Sequence, residues 1–140
     1  MSKFHFQPIK GQGRTIIKAI LKSPEVSSCG LKEILVLRLA CEEIVTNVIK
    51  YAYPEEVEGY LGIEIHKTDR VVIRFEDGGV PFNPLEQKKP DITLNWKNRP
   101  IGGLGILLIT SKMDDVRYAY VDNKNILTIE KVISTNNFKI

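Results

Sequence analysis

Glu43 and Asn47 stand four residues apart in a run of helical periodicity. At about 100° per residue they project from one side of a helix, one turn apart. Asn47 falls inside the apolar sector, between Val36, Ala40 and Tyr51, and Glu43 lies at its edge. A carboxylate and an amide so close to a core face need partners. A metal-bound phosphate would supply them: the amide oxygen suits Mg²⁺, and the carboxylate can orient an attacking oxygen. The same spacing also suits an ordinary i,i+4 pair on a helix rim.

Phe75-Glu76-Asp77-Gly78-Gly79-Val80-Pro81-Phe82 is the second stretch with chemical potential. Asp77 has the parity of Val71, Ile73 and Phe75, so a continuing strand turns its carboxylate toward the covered side of the sheet. A buried carboxylate must accept hydrogen bonds, and the exocyclic amine of adenine is a suitable donor. Gly78 and Gly79 would let the backbone approach a planar base. An Asp-Gly turn leaving a strand accounts for the same residues. The third stretch, Arg99-Pro100-Ile101-Gly102-Gly103-Leu104-Gly105, leads into the apolar Ile106-Leu107-Leu108-Ile109. Free N–H groups and the helix dipole make such a junction an anion site. A flexible loop before a core helix reads the same way. Gly11-Gln12-Gly13 is read as a turn.

The elements that must position these residues follow from the hydrophobic period. Phe4, Phe6 and Ile9 mark a short strand ended by Pro8 and the Gly11–Gly13 turn. Arg14 to Lys22 is a helix with Ile16, Ile17, Ile20 and Leu21 on one face, stopped by Ser23-Pro24. Leu31 to Ala52 is the longest helix, its stripe formed by Ile34, Leu37, Cys41, Ile44, Val48 and Ala52. The period then becomes two: Leu61, Ile63 and Ile65, a turn at Thr68-Asp69, then Val71, Ile73 and Phe75, a hairpin. Residues 84–100 have no period, and a loop of that length in a small domain is usually functional. Gly103 to Met113 reads as a helix. Val116 to Val121 and Ile126 to Ile133 form a second hairpin, turned by Asp122-Asn123-Lys124-Asn125. Residues 134–140 read as a frayed tail.

The expected fold is a two-layer α/β sandwich: a mixed, mostly antiparallel sheet covered on one face by three helices. The order of elements is not that of a parallel dinucleotide-binding sheet. With no GxxxxGK[ST] run, a Walker-type phosphate loop is excluded. At 140 residues the chain suits one domain spanning 1–140. A composition of 43% hydrophobic and 26% charged residues argues against disorder and coiled coil. A net charge of +3 admits an anionic ligand without indicating nucleic acid. Neither a membrane span nor the apolar region of a signal peptide is present, and Cys29 and Cys41 lack CxxC spacing. Two reduced thiols in a cytoplasmic protein are expected.

Helical E-x-x-x-N, strand-terminal D-x-G-x-P-F and G-G-x-G opening a helix, in that order, resemble the GHKL ATPases. Glu42 to Tyr53 looks like the family's N box, Asp77 to Phe82 like its first glycine box, and Gly102 to Ile109 with Met113-Asp114 like its second. Small size and the D-G-G-x-P-F form resemble the anti-sigma-factor serine kinases of the RsbW and SpoIIAB type. The likeness runs from about Phe4 to Ile133. It implies ATP and Mg²⁺ as cofactors, with Asn47 ligating Mg²⁺ and Glu43 as general base. Asp77 would bind the adenine amine, with Gly79 beneath the base. The Gly102–Gly105 turn would hold nucleotide, Gly103 and Gly105 cradling its phosphates. Residues 84–100 would be the lid, and Arg99, from its charge and place, would touch the terminal phosphate. One departure is Tyr51, where the family often has His.

The resemblance implies a serine kinase that phosphorylates a STAS-domain antagonist and sequesters a sigma factor, with a possible homodimer and no direct contact to nucleic acid or membrane. Beside a plain small α/β domain whose glycines are only structural, two other readings stay open. One is a nucleotide-dependent regulatory module without kinase activity. The other is a histidine-kinase-type catalytic domain acting on another chain, since His5 and His66, the only histidines, both fall in expected strands.

Overall fold

The computed structural model describes residues 1–86 and 109–133. Strands form where apolar and polar residues alternate: β1 (Ser2–Phe6), β2 (Leu61–Lys67), β3 (Arg70–Asp77), β4 (Asp115–Val121) and β5 (Lys124–Val132). They make one sheet in the order β1-β2-β3-β5-β4, with every neighbouring pair antiparallel. The expected mixed sheet is wholly antiparallel among the described strands, and β2–β3 and β4–β5 are hairpins.

One face of the sheet is apolar and the other charged. Leu61, Ile63, Ile65, Val71, Ile73, Phe75 and Ile129 are buried under the helices. The opposite face carries Lys3–Glu64, Arg74–Glu64, Arg74–Glu76 and Lys124–Glu76 ion pairs, as suits an antiparallel sheet with one side in water.

Helix α1 (Gly13–Lys22) buries Ile16 and Ile20. Ser23 ends it and at once begins α2 (Pro24–Ser27): its hydroxyl accepts from the Val26 N–H at 3.4 Å, and Pro24 sits at the first helical position. That one-turn helix was not expected, since Ser-Pro reads equally as a stop. Helix α3 (Leu31–Asn47) buries Leu37, Ala40, Cys41, Ile44 and Val45 against α1 and the sheet. Ile9 lies outside β1 yet is fully buried, so its apolarity marks a core plug rather than strand. Cys29 and Cys41 are free and buried, and burial pushes the Cys41 thiol up to about 12, well out of the reactive range.

Two departures from the expected boundaries shape the site. First, α3 does not run regularly to Ala52: Val48–Ala52 is a wider π-helical turn, a distortion frequent at functional sites. The widening displaces the angular register, so Tyr51 is 48% exposed instead of facing the core, while Ala52 is buried. Second, the β4–β5 turn is two residues, not four. Asp122 and Asn123 both have positive φ, 53° and 63°, the backbone of a tight hairpin turn that Asp and Asn tolerate. Lys124 and Asn125 consequently belong to β5, and Asn125 stands opposite Asp77.

The loop after β3 packs onto the end of α3. Val80 N–H donates to the Ala52 carbonyl at 2.8 Å. A Cβ on Gly79 would lie 2.1 Å from that carbonyl oxygen. Backbone on both sides leaves no side chain to give way. Gly79→Ala is expected to lower unfolding stability by about 3 kcal/mol, from overpacking and the lost hydrogen bond. Gly11→Ala, at φ +80 with nothing within 4 Å of the new methyl, is expected to cost only about 1 kcal/mol. Urea unfolding of both variants checks the contrast; equal losses would mean the Ala52 contact is not what demands glycine at 79.

Candidate functional site

The end of α3, its π-helical turn, and the facing ends of β3 and β5 frame a pocket enclosing about 620 Å³ including its open mouth. Ile44, Val48, Ala52, Phe75, Phe82, Leu85, Ile109, Val116 and Leu127 give it an apolar lining. Asn47, Asp77, Tyr118 and Asn125 are its polar groups. An apolar cavity with a few convergent polar groups is the usual form of a small-molecule site.

Asp77 ends β3 and is 6% exposed. The parity argument holds: its carboxylate lies on the same side as Val71, Ile73 and Phe75. The turn interpretation also holds, because Gly79 N–H donates to Asp77 Oδ1 at 2.9 Å. Asn125 Nδ2 donates to that same oxygen at 2.9 Å. Both hydrogen bonds from described residues fall on Oδ1, and Asp77 lines the pocket. Burial pushes the Asp77 pKa up, and the Asn125 and Gly79 hydrogen bonds oppose that rise.

Asn125 is the residue that sequence reasoning missed. Its Nδ2 bonds Asp77 Oδ1 and the Val80 carbonyl at 2.8 Å; its Oδ1 accepts from Phe82 N–H at 3.0 Å and from the Tyr118 hydroxyl. Every donor and acceptor position of one buried amide is thus engaged, joining β3, β4, β5 and the Gly78–Phe82 loop. Only the parity of the second residue after a two-residue Asp-Asn turn signals it. Asn125→Ala leaves the Phe82 N–H and Val80 carbonyl without their partner. It is expected to cost about 3 kcal/mol of unfolding free energy. Asn125→Asp, which keeps the shape but sets a second carboxylate on Asp77, is expected to lose more at neutral pH than near pH 3. A urea series at the two pH values reads this; a pH-independent loss would sever the link to Asp77.

Asn47 and Glu43 form the pair that the helical spacing predicts. Asn47 Nδ2 donates to Glu43 Oε1 at 3.3 Å, and both side chains are half-buried. Asn47 lines the pocket, whereas Glu43, one turn earlier, stands outside the lining. With its nitrogen held by Glu43, the amide keeps its oxygen as a donor to a cation. No cluster of three or more His, Cys, Asp or Glu side chains that could hold a metal occurs among the described residues. An ion such as Mg²⁺ would need most of its oxygens from a ligand, its habit at phosphate sites. Gly79 packs against Ala52, so the structure supplies a reason for glycine there that involves no ligand. Tyr51 stacks on Phe82 at the pocket, ring centroids 6.3 Å apart. Arg99, Gly102, Gly103, Gly105, the expected lid beyond Glu86 and the tail 134–140 lie outside the described residues; Pro84–Glu86 forms a 3₁₀ turn.

A one-faced antiparallel sandwich whose long helix and central strands frame an apolar pocket, with a buried aspartate at the end of a central strand, is the architecture of GHKL-type ATPase domains. The chain belongs to the histidine kinase-like ATPase domain family, whose model matches residues 9–131. It is similar to the serine-protein kinase RsbW of Listeria innocua serovar 6a, 33% identical over 97 residues that cover 65% of this chain and 61% of that protein. It is also similar to the serine-protein kinase RsbW of Bacillus mycoides, 30% identical over 95 residues covering 65% of this chain and 59% of that protein. The match thus spans about three-fifths of the length of these relatives. In fold it is similar to a blue-light activated histidine kinase of Erythrobacter litoralis, with a TM-score of 0.57 at 15% identity over 92% of this chain and 42% of that one. No described helix is long and apolar enough to cross a membrane.

Proposed function

We propose that this chain binds Mg²⁺-ATP in the α3–β3–β5 pocket and transfers the terminal phosphate to a serine of a partner protein, a STAS-domain antagonist. In the same reading it sequesters a sigma factor. The carrying observation is the asymmetric Asp77 carboxylate: Oδ1 is held by Gly79 and Asn125, leaving Oδ2 to accept from an adenine amine. The apolar walls from Ile44, Val48, Phe75 and Leu127 suit a flat heteroaromatic ring. Asn47, held by Glu43, turns its oxygen toward the phosphate end. The ion's chemistry, when bound there, is to neutralise charge on the phosphate oxygens. Glu43 takes the proton of the substrate hydroxyl as general base. Arg99 touches the terminal phosphate, Gly102, Gly103 and Gly105 cradle the phosphates, and Gly79 lies beneath the base. The names of the RsbW relatives support the serine-kinase reading.

A second reading, a nucleotide-dependent binding module without transfer, is favoured by one observation: Glu43 bonds Asn47 and stands outside the pocket lining. The histidine-kinase alternative gains nothing, since His5 and His66 both lie in strands on the charged face of the sheet.

Thermal unfolding with Mg²⁺-ATP tests binding. Nucleotide at a hundredfold excess over Kd is expected to stabilise the fold by about 2.7 kcal/mol, and no shift would overturn the reading. Radioactive-phosphate transfer to a STAS protein encoded beside this gene separates kinase from module: a labelled serine supports the first, nucleotide-dependent binding without label the second.

A further inference from the structure

The outward side of α1 and α3, which the nucleotide pocket does not use, has an unusual surface. Leu31, Leu35 and Leu39 recur every four residues along α3 and are 87%, 56% and 39% exposed. They form one helical stripe facing solvent. Beside it, an open groove of about 1460 Å³ including its mouth runs between the two helices, with Ile17, Leu21 and Val45 among its walls. Arg14, Lys18 and Lys22 recur every four residues on α1, and Arg14 and Lys18 rim the groove. These three cations and Lys32 on α3 form no ion pair with any described residue. Among the described residues the only carboxylate in the groove, that of Glu42, is taken by Arg38 at 2.8 Å. This face thus carries four cations without an ion-pair partner among the described residues.

We infer that this face is a docking groove for an acidic amphipathic helix of a partner protein. Apolar side chains of that helix would cover the Leu31–Leu35–Leu39 stripe and the Ile17–Leu21 wall, with flanking Asp or Glu opposite Arg14, Lys18, Lys22 and Lys32. Three observations choose this occupant. The surface is concave between two helices, a shape that accepts another helix by side-chain interdigitation. Its free charge has one sign, so a complementary partner gains steering and specificity. A two-fold pairing of this face with itself would set like cations against one another, which opposes a second copy. A lipid surface would satisfy the charge but not the concavity, and the stripe has none of the aromatic side chains common on membrane-surface helices. The inference stands apart from nucleotide binding, because none of these residues lines the nucleotide pocket.

The test uses the full chain and three synthetic 20-residue helical peptides sharing one leucine stripe, flanked by Glu, Gln or Lys. Fluorescence anisotropy is expected to rank their affinities Glu above Gln above Lys, with at least a tenfold span that narrows in high salt. Lys18→Glu is expected to reverse the Glu–Lys preference, and Leu35→Asp to weaken all three peptides at least tenfold. Both positions are exposed, and an unchanged Mg²⁺-ATP thermal shift verifies the variants' folding and pocket. Equal affinity for the three peptides, or no loss in Leu35→Asp, overturns the proposal. So does retention on anionic phosphatidylglycerol vesicles that Leu35→Asp abolishes while peptide binding is absent. A dimer in light scattering that Leu35→Asp dissociates would assign the face to a second copy instead.

Discussion

Asp77→Asn is expected to reduce ATP affinity by roughly 10- to 150-fold while leaving the nucleotide-free protein at least as stable as the wild type at neutral pH. The substitution is isosteric and keeps Oδ1 as acceptor for Gly79 and Asn125, so the loop and strand contacts survive. It replaces Oδ2, the acceptor proposed for the adenine amine, by an NH₂ donor, which would confront that amine with a second donor. The stability effect follows from linkage. Burial raises the Asp77 pKa in the folded state, so the folded protein holds that proton to higher pH than the unfolded chain does. Stability therefore falls as pH rises from the ordinary aspartate value of about 4 through the raised folded-state value. Asn removes the penalty, so its advantage in thermal unfolding is expected near pH 7 and to vanish below about pH 4. Calorimetric titration with Mg²⁺-ATP and melts across that range measure both. Wild-type affinity in Asp77→Asn would remove the aspartate from the adenine contact.

Glu43→Ala is expected to lower phosphate transfer by about 10²- to 10⁴-fold, with ATP affinity within a few-fold of wild type. The separation rests on geometry: Asn47 lines the pocket and Glu43 does not. Removing Glu43 frees the Asn47 amide from its 3.3 Å hydrogen bond without opening the apolar walls. Single-turnover transfer beside calorimetric binding reads the two effects. Undiminished transfer would exclude Glu43 as base; affinity lost as steeply as transfer would make it an orienting partner of Asn47.

Much of the architecture was legible because the core follows simple periods. The alternation Leu61-Ile63-Ile65 and Val71-Ile73-Phe75 placed a hairpin and, by the same parity, predicted that Asp77 is buried. The spacing Leu37-Cys41-Ile44 placed α3 on the sheet and set Glu43 and Asn47 one turn apart. Where propensity had two uses the reading stopped short. Ser23-Pro24 both ends α1 and starts α2, and Asp122-Asn123-Lys124-Asn125 gives no sign of which two residues make the turn.

The sequence by itself determined which residues are apolar, at what period, and therefore the sandwich and the side of the sheet on which Asp77 must lie. Only the tertiary structure decided what surrounds it. The tight turn at Asp122-Asn123 carries Asn125 into the ladder opposite Asp77, and the π-helical turn brings the Ala52 carbonyl onto Gly79. The physical reason is that hydrophobic burial follows local period, whereas the side-chain partner of the buried carboxylate comes from register between segments 48 residues apart.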